Sequence, residues 1–218
     1  MKKVGVLIAG NGHLDGAEIR EAVLTLLEID RQGAESICIA PNRNQHHVVN
    51  HLTGEEMPEQ RNIAVEAARI ARGNIQFLEN VDVTQLDALI IPGGFGCAKN
   101  LCSFAFKGAE ADVSEDVFTF IRAIHKSQKP IGAICVSPAL IALSLKEFSP
   151  TITLGPDSEP NEEISKTGAF SEPLSATDIV VDEKNKIVST PAYMNGNESI
   201  SNVSIGISKC VQHVLKWA

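Results

Sequence analysis

Short apolar runs alternate with amphipathic stretches along this chain. Val4 to Ala9 is dense in β-branched residues and stops at Gly10, the pattern of a strand buried on both faces. The stretch that follows spaces Ala22, Val23, Leu26 and Leu27 for one helical face and ends near Gly33. Ser36 to Ala40 predicts a second strand closed by Pro41, and Ile75 to Leu78 a short one. Ala88 to Ile91, broken by Pro92-Gly93-Gly94, and Pro130 to Ile134 are further buried strands. Helices are predicted over Asn62 to Arg72, Ser137 to Lys146 and Ser114 to Gln128, the last with Val117, Phe118, Ile121 and Ile124 inward. Between them, Asn42 to Gln60 has no clear period. At about 19 residues it is longer than an ordinary structureless loop, so it is functional or hides an element.

Strands alternating with helices imply an α/β fold: a flavodoxin-like parallel sheet sandwiched by helices. The chain changes character from Thr151 to Thr190. There, Asp178 to Asp182 and Lys186 to Thr190 flank Glu183-Lys184-Asn185 and predict a hairpin at the sheet edge. Asn197 is placed to cap a last helix, Glu198 to Lys216. With no internal repeat and no low-complexity tract, residues 1–218 read as one domain.

Composition narrows the partners. Nineteen Lys and Arg against 27 Asp and Glu leave a net charge of −8 with no basic stripe, which argues against nucleic acid and anionic membrane. No apolar run approaches the roughly 20 residues of a membrane span. The apolar start is too short for a signal peptide, and Asn11-Gly12-His13 leads into a helix instead of a cleavage site. Five Cys without a CxxC pair do not form a disulfide framework, so a reduced, cytoplasmic setting is expected.

Three constellations carry chemistry. Ile131-Gly132-Ala133-Ile134-Cys135 ends a strand at a thiol, and Ser137-Pro138 opens a helix at once, the layout of a nucleophile elbow. The adjacent helix N-terminus should make the Cys135 thiol ionise more easily than a free one. Cys38, Cys97, Cys102 and Cys210 read as packing residues. Next, Pro92-Gly93-Gly94-Phe95-Gly96 lacks the spacing of a P-loop or dinucleotide site, and the chain calls for no cofactor and no metal. Beside an elbow, this turn offers an oxyanion hole from the Gly94 and Val136 N–H groups. The third constellation opens the first helix, where Asp15 and Glu18 fit a capping arrangement. Glu21 lies one turn further and could exchange a proton at the thiol if burial raised its pKa; the competing reading is that both acids oppose the helix dipole. His13, just beyond the first strand, could approach the same edge. His46, His47 and His51 have no metal-ligand spacing and read as solvated loop residues.

Val4 to Gly10, Gly16-Ala17-Glu18, Pro92-Gly93-Gly94 through Asn100-Leu101, and Ala133-Ile134-Cys135 with Pro138 resemble the PfpI-type superfamily, related to class I glutamine amidotransferases. Asp15-Gly16-Ala17-Glu18-Ile19, the His-rich loop and Thr190-Pro191-Ala192-Tyr193-Met194 resemble more narrowly the ElbB-type glyoxalases, named for an isoprenoid-biosynthesis association. The resemblance implies a Cys nucleophile, Cys135, paired with a Glu of the first helix, placed on Glu21 with Glu18 still open. Gly93 and His13 are the expected substrate contacts and a small 2-oxoaldehyde the expected substrate, and the resemblance further implies a homodimer. The chain departs from amidotransferases by having no His between Cys135 and the final helix. It departs from the peptidase-like relatives by Val136, where they carry a His. The activity implied is cofactor-independent conversion of glyoxal to glycolate. Deglycation of glycated groups, or a redox-sensing or chaperone-like role without turnover, are the alternatives.

Overall fold

In the computed structural model, which describes residues 1–156 and 158–218, the apolar runs become adjacent strands. In chain order the elements are β1 (Lys3–Leu7), α1 (Ile19–Arg31), β2 (Glu35–Ala40), β3 (Val48–Val49), β4 (Glu56–Met57) and α2 (Ile63–Ile70). Then come β5 (Gln76–Phe77), β6 (Ala88–Ile91), α3 (Phe104–Lys107), α4 (Glu115–Lys126), β7 (Ile131–Ile134) and α5 (Ser137–Ser144). The chain ends through β8 (Thr151–Ile152), α6 (Glu159–Ser165), β9 (Phe170–Ser171), β10 (Val180–Asp182), β11 (Ile187–Thr190) and α7 (Ile200–Trp217).

Seven strands form one sheet in the order β10-β11-β7-β6-β1-β2-β5. Its pairs are parallel except β10–β11, the edge hairpin that the sequence predicts. Side chains of β6 show how this sheet makes two cores. Leu89 and Ile91 join Val117, Ile121 and Leu140 of α4 and α5 on one face. Ala88 and Ile90 join Ile29, Ile63 and Ile207 of α1, α2 and α7 on the other. The alternation follows from the two-residue period of a strand, and burial on both faces explains why these runs are apolar throughout.

Several expectations need correction. On α1 the buried stripe is Glu21, Ala22, Thr25, Glu28 and Ile29, while Val23 and Leu27 stand outside. Polar residues hold this face because they have partners: Glu28 accepts from Gln32, Ser208 and Gln212, which seams α1 to α7. Asp15 does not cap α1. Glu18 is itself the N-cap and accepts from the Glu21 N–H at 2.7 Å, whereas Asp15 accepts from the Val49 N–H. Phe118 lies at the surface beside Arg122, and Phe120 takes the inward place expected for it. The last helix is capped by Ser199, not Asn197. The long His-rich segment contains the β3–β4 hairpin, and 151–190 contributes α6 and the short β8–β9 pair.

Among the described residues, no helix is long and apolar enough to cross a membrane.

Candidate active site

β7 ends where Cys135 adopts φ +61°, a left-handed conformation that costs a non-glycine residue roughly 1–3 kcal/mol. The strain is held in place from several sides. The Cys135 N–H donates to the Thr190 carbonyl at 2.9 Å, which fixes the elbow to β11. Ser137 Oγ accepts from the Ile134 N–H and donates to the Ile91 carbonyl, both at 2.7 Å, and so ties the ends of β6 and β7 together. The thiol therefore emerges at the C-terminal edge of the sheet, where open α/β sheets place their ligands.

Glu21, in the first turn of α1, reaches the same point fully buried. Its Oε2 accepts from the Gly93 N–H at 2.9 Å and its Oε1 from the Tyr193 N–H at 3.3 Å. Its carboxyl also lies against the Cys135 thiol, close enough for each group to shift the other's ionisation. Burial, reinforced by the negative charge of Glu18, pushes Glu21 up to about 8, so it holds a proton at neutral pH. Burial and the Glu21 carboxylate also drive Cys135 well above the usual thiol range, against the pull of the Gly94 and Val136 N–H groups. This corrects the expectation of a thiol ionised by its helix N-terminus alone. Both groups therefore hold their protons at neutral pH, and the thiolate is reached when Glu21, having lost its own, takes the proton of the thiol.

The Gly94 and Val136 N–H groups lie beside the Cys135 sulfur and favour its ionised form, which leaves them placed to serve an oxyanion formed next to it. Gly94 takes φ +94°, and a Cβ there would lie 2.4 Å from the Glu18 nitrogen, so glycine is required. Gly93 is not at the cavity wall. Its N–H is taken by Glu21, its carbonyl by the Glu18 N–H at 3.0 Å, and a Cβ would lie 2.4 Å from the Cys135 Cβ. Its place is between Cys135 and Glu21, and it is not among the residues lining the cavity.

A cavity of about 1080 Å³ opens over the thiol, lined by Cys135, Gly94, Val136, Glu18 and His13 at the reacting end. His13 is exposed there, its ring 5.2 Å from that of His51. His46, His47 and His51 do not line it. His47 Nε2 lies 3.2 Å from Lys99 Nζ, and His51 Nε2 accepts from the Leu14 N–H. Cys38, Cys97, Cys102 and Cys210 are buried free thiols. No group of three or more metal-ligating side chains is found among the described residues. Sequence reasoning from the residues alone missed Tyr193. Its backbone donor and the left-handed Ala192 before it (φ +46°) lie in Thr190-Pro191-Ala192-Tyr193-Met194, a stretch with no local chemical signal.

A thiol on a strained elbow of a mainly parallel sheet, faced by a helix-borne carboxyl, is the arrangement of an amidotransferase-like α/β protein. The solved structures agree. The structure of an isoprenoid biosynthesis protein with amidotransferase-like domain from Ehrlichia chaffeensis superposes with a TM-score of 0.93 at 39% identity, covering 100% of this chain and 99% of that one. A DJ-1 superfamily protein of Agrobacterium tumefaciens shares the fold at 14% identity (TM-score 0.55, 99% of this chain and 89% of that one). Among curated proteins, the mitochondrial ES1 protein homolog of Rattus norvegicus is 38% identical over 224 residues, covering 98% of this chain and 83% of the relative. The human mitochondrial glutamine amidotransferase-like class 1 domain-containing protein 3 is 37% identical over 224 residues, covering 98% of this chain and 82% of the relative. No protein-family model matches the chain. The chain belongs to this ES1-like family of glutamine amidotransferase-like class 1 proteins.

Proposed function

We propose that the chain is a glutathione-independent glyoxalase of the ElbB type, converting glyoxal to glycolate with Cys135 as nucleophile and Glu21 as acid and base. The observation that carries this reading is a buried carboxyl, its pKa raised toward neutrality, set against a thiol at a strained elbow under two N–H donors. In the fraction of molecules whose Glu21 is ionised, the carboxylate takes the Cys135 proton and the sulfur bonds to one aldehyde carbon. The resulting oxyanion rests on the Gly94 and Val136 N–H groups until Glu21 protonates it. The Glu21 carboxylate then takes the hydrogen from that carbon, giving an enediol. Returning it to the neighbouring carbon leaves a hydroxymethyl group and a thioester, and water releases glycolate. One carbon is oxidised and the other reduced, so no outside oxidant enters the balance.

Glu18 is assigned a supporting part: it caps α1 and its charge helps keep Glu21 protonated. A reducing compartment suits the five free thiols, as expected for the cytoplasm; the rat and human relatives are named mitochondrial. A homodimer would find its face along α1, where Ile19, Val23 and Leu27 form an exposed apolar stripe, and light scattering of the Leu27→Glu variant tests it. The deciding assay is glycolate formed from glyoxal without glutathione by the wild type, Cys135→Ala and Glu21→Gln. Turnover by the wild type and loss in both variants is the expected result. Turnover retained by Cys135→Ala removes the proposal, and an inert wild type moves the function to a redox-sensing or binding role.

A further inference from the structure

The cavity is far larger than a two-carbon aldehyde requires. At about 1080 Å³ it stands at the top of the range of roughly 300–1,000 Å³ that holds drug-sized ligands. Its walls are also unusual for this chain, which has only eight Phe, one Tyr and one Trp. Phe95, Phe104, Phe106 and Tyr193 all face this one space. Phe95 and Phe106 are 48% and 53% exposed, and leaving such apolar area in water costs free energy unless something covers it.

Three of the rings are held by polar neighbours. Lys99 Nζ sits 4.8 Å from the Phe95 ring centroid and is itself fixed by the Leu14 carbonyl at 3.1 Å and His47 Nε2 at 3.2 Å. The His46 ring packs 4.6 Å from Phe106, and the His46 N–H is anchored on Asn100 Oδ1 at 2.8 Å. At Tyr193, Arg20 Cζ lies 5.9 Å from the ring centroid, and Arg20 Nη1 donates to the hydroxyl at 3.2 Å. The long His-rich segment thus supports one wall of the cavity. Rings held in place along a space that leads to Cys135 give it apolar wall area, beside charged residues such as Arg20 and Lys107, on which a flat apolar group can lie.

We infer that the substrate class is 2-oxoaldehydes bearing an aromatic substituent, taken in preference to glyoxal itself. The inference rests on the glyoxalase reading and deepens it. The chemistry balances as for glyoxal. Cys135 adds to the aldehyde carbon, which is oxidised to the carboxylate, and the ring-bearing ketone carbon is reduced to a secondary alcohol. With phenylglyoxal and one water the product is mandelate.

The test compares initial rates with phenylglyoxal and glyoxal in the absence of glutathione. Stacking between rings adds to area burial, so kcat/KM for phenylglyoxal should exceed that for glyoxal by about tenfold or more, carried by KM. Phe106→Ala should reduce that ratio by about tenfold, a contact's worth of aromatic packing, and His46→Ala by a smaller factor. Because Phe106 is half exposed, its replacement does not threaten folding. A ratio near one, or a ratio unmoved by Phe106→Ala, overturns the inference. Failure of both aldehydes overturns the glyoxalase reading instead. The role of the apolar wall is then decided by titrating Cys135→Ser protein with mandelate and glycolate: tighter binding of mandelate, weakened by Phe106→Ala, upholds it, and equal binding refutes it.

Discussion

Replacing Glu21 by Gln should change stability in opposite directions at low and high pH. In the native protein Glu21 is held at about 8, against 4.5 for an ordinary Glu. Between those values the folded chain carries a proton that the unfolded chain has lost. Stability is therefore full below pH 4.5 and falls as pH rises, tenfold in the folding equilibrium for each unit until about 8. Across the whole window this approaches roughly 5 kcal/mol, an upper bound because the titration of Glu21 is coupled to that of Cys135. Gln carries no such proton, but it offers one oxygen where the carboxyl offers two to the Gly93 and Tyr193 N–H groups. One donor is left unpaired, at a cost of about 1–3 kcal/mol. Glu21→Gln should thus be less stable than the wild type near pH 4.5 and more stable near pH 8, with a crossover between. Urea unfolding of both proteins from pH 4.5 to 8.5 measures this. Using the difference between the two curves removes the titration of His47, His125 and His213, which both proteins share. Parallel curves would refute the reasoning, since they would mean that Glu21 is not a buried proton carrier.

Removing the Glu21 charge should also lower the pH at which Cys135 ionises. Iodoacetamide alkylation of Cys135, followed by mass spectrometry, should show its midpoint at lower pH in Glu21→Gln than in the wild type. Gly93→Ala places a Cβ 2.4 Å from the Cys135 Cβ and 2.8 Å from Glu21 Oε2, so turnover should fall by at least about a hundredfold, the order expected of misplaced reacting groups. Glu18→Ala removes the α1 cap and should cost about 1 kcal/mol in urea unfolding while turnover persists. Asn100→Ala loses two Nδ2 donations, to the Ala9 and Asp15 carbonyls, and the acceptor of the His46 N–H. It should speed hydrogen exchange across residues 42–60 before the sheet opens, as a local loss of anchoring predicts.

What could be read from the sequence was whatever depends on neighbours in the chain. The strands β1, β6 and β7 announce themselves because both their faces are buried, and the edge hairpin because its turn residues separate two β-branched runs. The elbow at Cys135 and the turn at Gly94 are likewise local, being strand ends followed at once by residues that suit a turn. The face of α1 was not readable, since counting apolar positions selects Val23 and Leu27 and passes over Glu21 and Glu28. Those carboxyls are inside only because of partners far away in the chain: the Tyr193 N–H for Glu21, and Ser208 and Gln212 for Glu28. The protonation of the site fails to show for the same reason. A helix N-terminus next to a Cys is visible in the sequence and argues for an ionised thiol. The opposing forces, burial and a carboxyl from the first helix, exist only once β1, β6 and β7 lie side by side. The raised pKa values of Glu21 and Cys135 are thus a product of the fold, and any change that loosens the packing of α1 on the sheet should return both groups toward their ordinary values.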